Sequence, residues 1–311
     1  MTGLQQRKTG ALSPPLHFKK LEEVGQDILE RILLRFPQRI SGFTYAALFS
    51  WNAVYRYEWT PCGKETVLIS CQISAGGQRH FLQPVGSFEP EAQGILLAAM
   101  KALPYPAKIF GVGAEFMQKN QGFVSHFTIE NDPALANYTY RAGDLALLAG
   151  KFYAKKRNLI AQAHKLYQWS VHALTADNSG ECLEVLGRLD AAPDQPDAAR
   201  ENEATAVRTA LRHFAGLRQQ GILIRAEEKA VAFSIFEPLN HDTAVIHFEK
   251  ADRHYKGLYQ IIHQETARAI TAAGFSLVNR EEDMGIAGLR QAKLSYGPSE
   301  IIPSYTLTFR P

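Results

Sequence analysis

The sequence predicts an α+β (α/β) chain built from two similar units in tandem, each a mixed, mostly antiparallel sheet flanked by helices. Three observations carry that expectation. The order of helical and strand patterns reads ααβββαβαβ from Leu21 to Ile129 and, after one leading strand, again from Cys182 to Arg310. At 311 residues the chain is long for one core and comfortable for two. The run Thr243 to Pro298 contains a complete strand–helix–strand passage that ends in a dense cluster of charge.

The elements follow from the spacing of apolar residues. Leu21, Val24, Ile28, Ile32 and Arg35 share one helical side, and Pro37 ends that helix. Phe43, Ala47, Trp51 and Val54 mark a shorter second helix. Strands are expected at Tyr55 to Thr60, Thr66 to Ile73 and His80 to Gln83, separated by the turns Pro61-Cys62-Gly63 and Gly76-Gly77. Glu89 to Leu103 reads as a helix, Lys108 to Val112 as a strand, Ala114 to Gln118 as a short helix and Val124 to Ile129 as a strand. Asn137 to Gly150 reads as a connector. Lys151 to Tyr167 is a helix with Phe152, Leu159, Ala163 and Leu166 on its packed side. The domain boundary is placed near Arg157, giving a lead-in over 1–17, a first unit over 18–157 and a second over 158–311.

The second unit begins with a strand at Gln168 to Ala173 and a helix at Cys182 to Leu189. The Pro- and Asp-bearing run Ala191 to Asp197 is expected as a loop, followed by a helix marked by Ala204, Val207, Leu211 and Phe214. Strands are expected at Ile222 to Arg225, Ala230 to Phe236 and Thr243 to Phe248. In the last of these, alternation places Ala244, Ile246 and Phe248 on one face and Val245, His247 and Glu249 on the other. A long helix ends at Gly274, which suits the left-handed position beyond a helix. A strand at Phe275 to Val278, a helix at Ile286 to Leu294 and a strand at Tyr305 to Arg310 complete the chain.

Composition narrows the class. Apolar content of 46% and charged content of 21% are those of a globular protein, and a net charge of +3 is too small to argue for a polyanion partner. Cys62, Cys71 and Cys182 form no C-x-x-C pair, which fits reduced thiols, no zinc site and a cytoplasmic location. The longest apolar run, Gly94 to Met100, is far short of the roughly 20 residues that a membrane helix needs. Neither a Gly-x-Ser-x-Gly elbow, a dinucleotide fingerprint nor an H-E-x-x-H metal motif occurs.

The cluster Asn279-Arg280-Glu281-Glu282-Asp283, followed by Gly285, Gly288, Arg290, Lys293 and Tyr296, sits where a strand ends, a common place for ligands in such sheets. The same run, Asn279 to Pro298, with the upstream KGLYQ and GKFYAKKRN, resembles a bacterial family of uncharacterised proteins grouped with the C-terminal catalytic domain of phosphatidylglycerol lysyltransferases. The resemblance covers the chain from about Phe18 onward. It implies the GNAT acyltransferase fold present twice, and a transferase that moves an acyl or aminoacyl group to an amine or hydroxyl acceptor such as a lipid headgroup.

In such a fold two neighbouring strands splay apart to admit the donor, whose phosphates meet the N-terminus of the next helix. Coenzyme-A users carry (Gln/Arg)-x-x-Gly-x-(Gly/Ala) there. This chain has Arg253-His254-Tyr255-Lys256-Gly257-Leu258, with one residue too many between Arg and Gly and a Leu where a small residue belongs. The equivalent loop of the first unit, Pro84-Val85-Gly86-Ser87, has no cation. Acyl-CoA and aminoacyl-tRNA both remain candidate co-substrates. For tRNA, Lys155, Lys156 and Arg157 are the candidate phosphate contacts, or else simply a solvated helix face.

Acyl transfer needs a base for the nucleophile and donors for the developing oxyanion. Glu249, Glu281, Glu282 and Asp283 are candidate bases, and Tyr259 and Tyr296 are candidate acids. Arg253, Lys256 and Gly257, with Asn279, Arg280, Arg290 and Lys293, are candidate substrate contacts. An Arg–Glu network that merely clamps the last helix to the sheet explains the same residues. A binding module without catalysis, holding a small anion or peptide between the units, is the alternative reading.

Overall fold

A computed structural model describes residues 16–21, 26–73, 77–190 and 198–310. Most of the expected lead-in, the Ala191 to Asp197 loop and Gly76 lie outside the described residues. The strands are β1 (Lys19–Lys20), β2 (Glu58–Cys62), β3 (Thr66–Gln72), β4 (Arg79–Leu82), β5 (Val85–Gly86), β6 (Lys108–Val112), β7 (Phe127–Asn131), β8 (Asn137–Arg141), β9 (Trp169–Ala173), β10 (Gln220–Ala226), β11 (Lys229–Pro238), β12 (Thr243–Ala251), β13 (Leu277–Asn279), β14 (Glu300–Ile302) and β15 (Tyr305–Phe309). The helices are α1 (Gln26–Arg35), α2 (Tyr45–Ser50), α3 (Asn52–Tyr55), α4 (Pro90–Lys101), α5 (Ala114–Lys119), α6 (Gln121–Val124), α7 (Ala142–Leu147), α8 (Ala154–Leu166), α9 (Ser179–Asp190), α10 (Ala198–Arg212), α11 (Leu258–Ala272) and α12 (Ala287–Leu294).

Two mixed sheets result. The first runs β1-β2-β3-β4-β6-β15-β7 with β5 added to β3, and the second runs β14-β8-β13-β12-β11-β10-β9. Sheet membership does not follow a single cut near Arg157. The stretch expected as a connector supplies β8, antiparallel to β13, and then α7. In return β15, from the end of the chain, inserts between β6 and β7 of the first sheet. The reason lies in the side chains of β8: Tyr138 and Tyr140 are buried in the core beneath α11, so Asn137 to Arg141 gains more by pairing than by looping.

Each sheet is covered on both faces. The first carries α4 and the α5–α6 turn on one side, around Leu96, Met100, Phe123 and Ile109, and α1 and α2 on the other. The second is covered by α7, α8 and α11 through Ile160, Ala163, Ile261, Ile262 and Ile270, and on its other face by α9 and α10 through Val185, Val207 and Leu211. On α8 the packing falls to Tyr153, Ile160 and Ala163, while Phe152 and Leu166, expected on the packed side, are 62% and 60% exposed. Trp51, between α2 and α3, packs against the α9–α10 core, so the first unit's helices reach across to the second. Among the described residues no helix is long and apolar enough to cross a membrane.

Candidate active site

The site is organised by a gap in the second sheet. β12 pairs with β13 in parallel only through Thr243, Ala244 and Val245, opposite Leu277, Val278 and Asn279. Beyond that point the chain after β13 follows β8 instead, with Arg280 N–H donating to Tyr138 O (2.9 Å) and Tyr138 N–H donating to Glu281 O (3.1 Å). Asn279 fixes the divergence. It is fully buried, donates from Nδ2 to Arg39 O and Asn137 Oδ1 (both 3.0 Å), and accepts from Glu281 N–H (2.7 Å). Glu281 sits at φ +58°, a left-handed conformation costly for a non-glycine residue, which turns its side chain back toward β12.

A bulge on β12 aims the other side of the gap. Phe248 pairs with Ile235 and Ile246 with Phe236, leaving His247 as the extra residue. The simple alternation expected from the sequence therefore fails here. Ala244 and Ile246 pack under α11, Phe248 joins the α9–α10 core, and Glu249 turns to the α11 side. His247 is left facing the opposite side. Two side-chain pairs then span the gap where backbone bonds are lost: His247 to Glu281 on one side and Arg280 to Glu249 on the other.

The side facing the first unit is rich in carboxylates. His247, 1% exposed, donates from Nε2 to Glu237 Oε1 (2.7 Å) and from Nδ1 to Glu281 Oε1 (2.8 Å). Burial opposes a charged ring, but the two carboxylates outweigh it and raise the imidazolium to about 10, so both ring nitrogens carry protons. Glu237 also accepts from Thr44 Oγ1 (2.6 Å), the residue that caps α2, which ties this triad to the first unit. Glu282 lies alongside with no ion-pair partner among the described residues. Burial, with the neighbouring charge of Glu281, pushes its carboxyl up to about 7.

The helix side is rich in cations. Glu249 accepts from His263 Nδ1 (3.1 Å), and Arg280 lies 3.5 Å away. Burial works against the Glu249 charge, but His263, Arg280 and Lys293 outweigh it and hold the carboxyl below its usual range. Burial and Arg280 lower His263, whose ring packs edge-on to Tyr296 at 4.4 Å. Lys293 is buried, donates to the carbonyl of Arg280, and is lowered by burial and by Arg280 to about 8. Lys156 lies 4.1 Å above the Tyr296 ring and Arg280 5.3 Å from it. Burial raises the Tyr296 phenol, which stays protonated. Arg280 Nη1, His263 Nε2 and Ser234 Oγ are buried without a hydrogen-bond partner. Ser234 pairs with Glu249 in register, which sets the two side by side on one face. Each such group costs about 1–3 kcal/mol, so a polar ligand that satisfied them would bind with advantage.

The other candidate residues are placed differently. Asp283 is fully buried and fully used: Arg290 grips it through Nε (2.7 Å) and Nη2 (3.0 Å), Tyr138 donates to it (2.6 Å) and so does Gly285 N–H (2.8 Å). The Arg290 bonds, more than any other influence, hold its carboxyl down to about 2. Asp283 and Arg290 thus clamp α12 to the sheet. Of the three candidate cations in the first turn of α8, Lys156 Nζ donates to Ser295 Oγ (2.7 Å) and the exposed Arg157 donates to Leu148 O and Gly150 O, while Lys155 is exposed with no side-chain bond among the described residues. Tyr259 is 38% exposed on the first turn of α11, outside the cluster. Arg253 and Lys256 are exposed. Gly257 (φ +86°) backs onto α8, where a Cβ would meet Leu159 O at 2.7 Å. Glu237, His263 and Tyr140 have no place among the residues expected from the sequence, and His247 has only a place on the strand face with Glu249. His263, inside the apolar face of a helix, was the available signal.

A family described as phosphatidylglycerol lysyltransferase, C-terminal, matches residues 34–308. An uncharacterised protein of Mycoplasmoides gallisepticum is 29% identical over 177 residues, and the alignment spans about half of each chain (54%). A crystal structure of a conserved protein of unknown function from Bacteroides thetaiotaomicron is 28% identical, with a TM-score of 0.84 over 95% of this chain and 100% of the other. The structure of L-PGS from Bacillus licheniformis superposes with a TM-score of 0.66 at 13% identity, over 93% and 94% of the two chains. A tandem GNAT protein from the clavulanic acid biosynthesis pathway gives 0.52 at 10% identity, over 96% and 99%. The fold is GNAT-like, and the chain belongs to the phosphatidylglycerol lysyltransferase C-terminal family.

Proposed function

We propose that the chain is an aminoacyl- or acyltransferase whose reaction takes place across the β12–β13 gap. One observation carries the reading: the gap separates unlike charges. On the side facing the first unit stand three carboxylates, Glu237, Glu281 and Glu282, with one imidazolium. On the helix side stand Lys156, Arg280 and Lys293 with one carboxylate, Glu249. Acyl transfer asks for this division, with a base where the nucleophile arrives and fixed positive charge where the carbonyl oxygen becomes negative.

Glu282 is the base in this reading. Its carboxyl near 7 is matched to proton removal at neutral pH, and it forms no ion pair among the described residues. Arg280 and Lys293 stabilise the oxyanion, and Tyr296, held protonated, donates to the leaving group. Glu249 and His263 orient Arg280 rather than react. Asp283 and Arg290 keep α12, and with it Lys293 and Tyr296, in place.

The family relationship favours an aminoacyl ester such as aminoacyl-tRNA as donor, with a lipid headgroup among the acceptor classes to test. Gly257 sets the start of α11 against α8, where a Cβ would meet Leu159 O at 2.7 Å. The exposed Arg253 and Lys256 can serve the phosphates of either donor. A donor panel tests this: acyl-CoAs and an aminoacylated acceptor-stem RNA, read by thermal shift and by label transfer to mixed amine and hydroxyl acceptors. The expected result is transfer from at least one donor, reduced about 100-fold or more by Glu282→Gln. Absence of both binding and transfer with every donor class would favour the non-catalytic module.

A further inference from the structure

Helix α12 has its amphipathic faces reversed. Of its eight residues only Arg290 and Lys293 are withdrawn from solvent. Arg290 grips the buried Asp283, and Lys293 donates to the carbonyl of Arg280. Leu289 and Leu294 are exposed, as are Met284 and Ile286 in the turn that leads into the helix. That turn passes through left-handed positions at Met284 (φ +53°) and Gly285 (φ +74°). A helix on a globular surface ordinarily turns its apolar stripe inward and its cations outward. Here the cations hold the helix down and the apolar side chains stand in water.

Phe152 extends this outer face. With Ala287, Arg290, Leu294 and Ser295 it lines a groove of about 560 Å³, and its ring lies against Gly297, where a Cβ would stand 3.0 Å away. Lys156 Nζ donates to Ser295 Oγ (2.7 Å), which fastens the first turn of α8 to the end of α12. Lys151 and Lys155, both exposed, flank Phe152 and Lys156 in that turn. The runs 145–176 and 284–299 contain Lys and Arg but no Asp or Glu. Of the acids that bound them, Asp283 is buried under Arg290, Glu300 is paired with Arg39, and Asp144 and Asp177 are exposed. The face thus joins protruding apolar side chains to positive charge, a combination that marks an interaction surface.

The combination also selects the occupant. A nucleic acid would engage the lysines but gain nothing from Met284, Ile286, Leu289 and Leu294. A second copy of the chain, meeting this face two-fold, would set the lysines against themselves. An anionic bilayer uses both, with phosphates for the cations and an apolar layer below for the side chains.

We propose that α12, the turn before it and Phe152 form a docking surface for an anionic lipid bilayer. Met284, Ile286, Leu289, Leu294 and Phe152 enter the headgroup layer, and Lys151 and Lys155 meet lipid phosphates. The claim stands apart from the transferase reading. It sets the inner side of the same segment, with Lys293 and Tyr296, beside the bilayer.

Co-sedimentation of the full chain with vesicles of phosphatidylcholine, with and without about 30 mol% phosphatidylserine, tests the surface. Half of the protein should bind at on the order of 1 mM anionic lipid, at least tenfold more tightly than to neutral vesicles, and added salt should weaken the binding. Lys151→Ala and Lys155→Ala should each weaken it about fivefold. Met284→Gln with Ile286→Asp should weaken it tenfold or more at an unchanged melting temperature. Cys62, Cys71 and Cys182 are buried, so bimane attached to Met284→Cys reports this site alone. Its emission should shift to the blue with anionic vesicles, and this reading decides if the double variant fails to fold. Equal binding to both vesicle types, full binding by the double variant, or an unmoved bimane spectrum overturns the proposal. So does a dimer that Ile286→Asp dissociates, which would show a second copy covering the face. Transfer to a soluble acceptor without vesicle binding would remove the docking surface and leave the transferase reading standing.

Discussion

The two sheets each contain a parallel pair that opens into a gap, and the gaps are finished in opposite ways. In the first sheet β4 and β6 pair through Phe81–Ile109 and Leu82–Phe110. The opening beyond is stapled by a neutral amide: Gln83 N–H donates to Phe110 O (2.9 Å), its Oε1 accepts from Gly113 N–H (2.8 Å) and its Nε2 donates to Gln38 (2.6 Å). The loop that follows is laid onto β3 as β5, and Gly86 lies so close that a Cβ would stand 1.9 Å from Glu65 O. In the second sheet the opening is spanned by ion pairs, flanked by unpartnered buried groups, and followed by an exposed loop bearing Arg253 and Lys256. Similar element order yields a sealed gap and a chemically equipped one. The difference lies in a handful of side chains, which is why fold alone does not fix function.

The largest expected effect separates the gaps directly. Glu282→Gln should lower transfer about 100-fold or more while leaving the melting temperature at pH 8 unchanged or raised. The sign follows from its raised carboxyl: stability present below the unfolded value near 4.3 is lost as pH rises through about 7, and Gln removes that loss. Gln83→Leu should do the reverse, sparing transfer within about twofold and costing about 1 kcal/mol in urea denaturation, because it orphans two half-buried partners. Next in size, Asp283→Ala strips a buried acceptor from Arg290, Tyr138 and Gly285, and should cost about 2–4 kcal/mol along with activity. Acid should mimic it: the carboxyl is depressed to about 2, so its contribution is complete above about 4 and is lost as pH falls through 2.

A third test concerns the tie between the units. His247 is raised to about 10, so the stability it lends is complete below its unfolded value near 6.5 and disappears as pH rises through 10. Lys293, lowered to about 8, works in the opposite sense, since the cost of burying its charge is relieved as pH rises through 8. The difference between wild type and His247→Gln, followed by denaturation from pH 6 to 10.5, isolates the imidazolium and should shrink toward high pH. A difference independent of pH would mean that His247 is neutral. The smallest effect belongs to α8. Lys155 is exposed and, unlike Lys156 and Arg157, makes no side-chain bond among the described residues, so Lys155→Ala should flatten the salt dependence of RNA binding by about one unit. Adding Lys156→Ala and Arg157→Ala should cost stability, because those two hold Ser295, Leu148 and Gly150.

Much of this asymmetry was legible in the sequence, because the charged cluster after β13 occurs in one unit only. Alternation and helical spacing placed β3, β6, β11, β12 and α11 to within a few residues. What escaped were features set by partners distant in sequence. Asn137 to Arg141 is a strand because β13 and β14 flank it, and β15 crosses to the first sheet because β6 and β7 leave room between them. The bulge at His247 depends on register with β11, which no local pattern encodes, and it sends His247 and Glu249 to opposite sides. Asp283 looked like a base and is a clamp, since its four donors come from Tyr138, Gly285 and Arg290. Glu282, alike in sequence, differs only in having none of them.

The central claim is that the second gap, and not the first, receives the donor. Backbone amide shifts of the labelled full chain, titrated with a hydrolysis-resistant aminoacyl amide of 3′-amino-3′-deoxyadenosine, report this directly. Perturbations are expected over Ile246 to Ala251 and Arg280 to Tyr296, with Gln83 and Gly113 unmoved, and they should diminish in Arg280→Ala. Perturbations centred on Gln83 and Gly113, or of equal size at both gaps, would contradict the account.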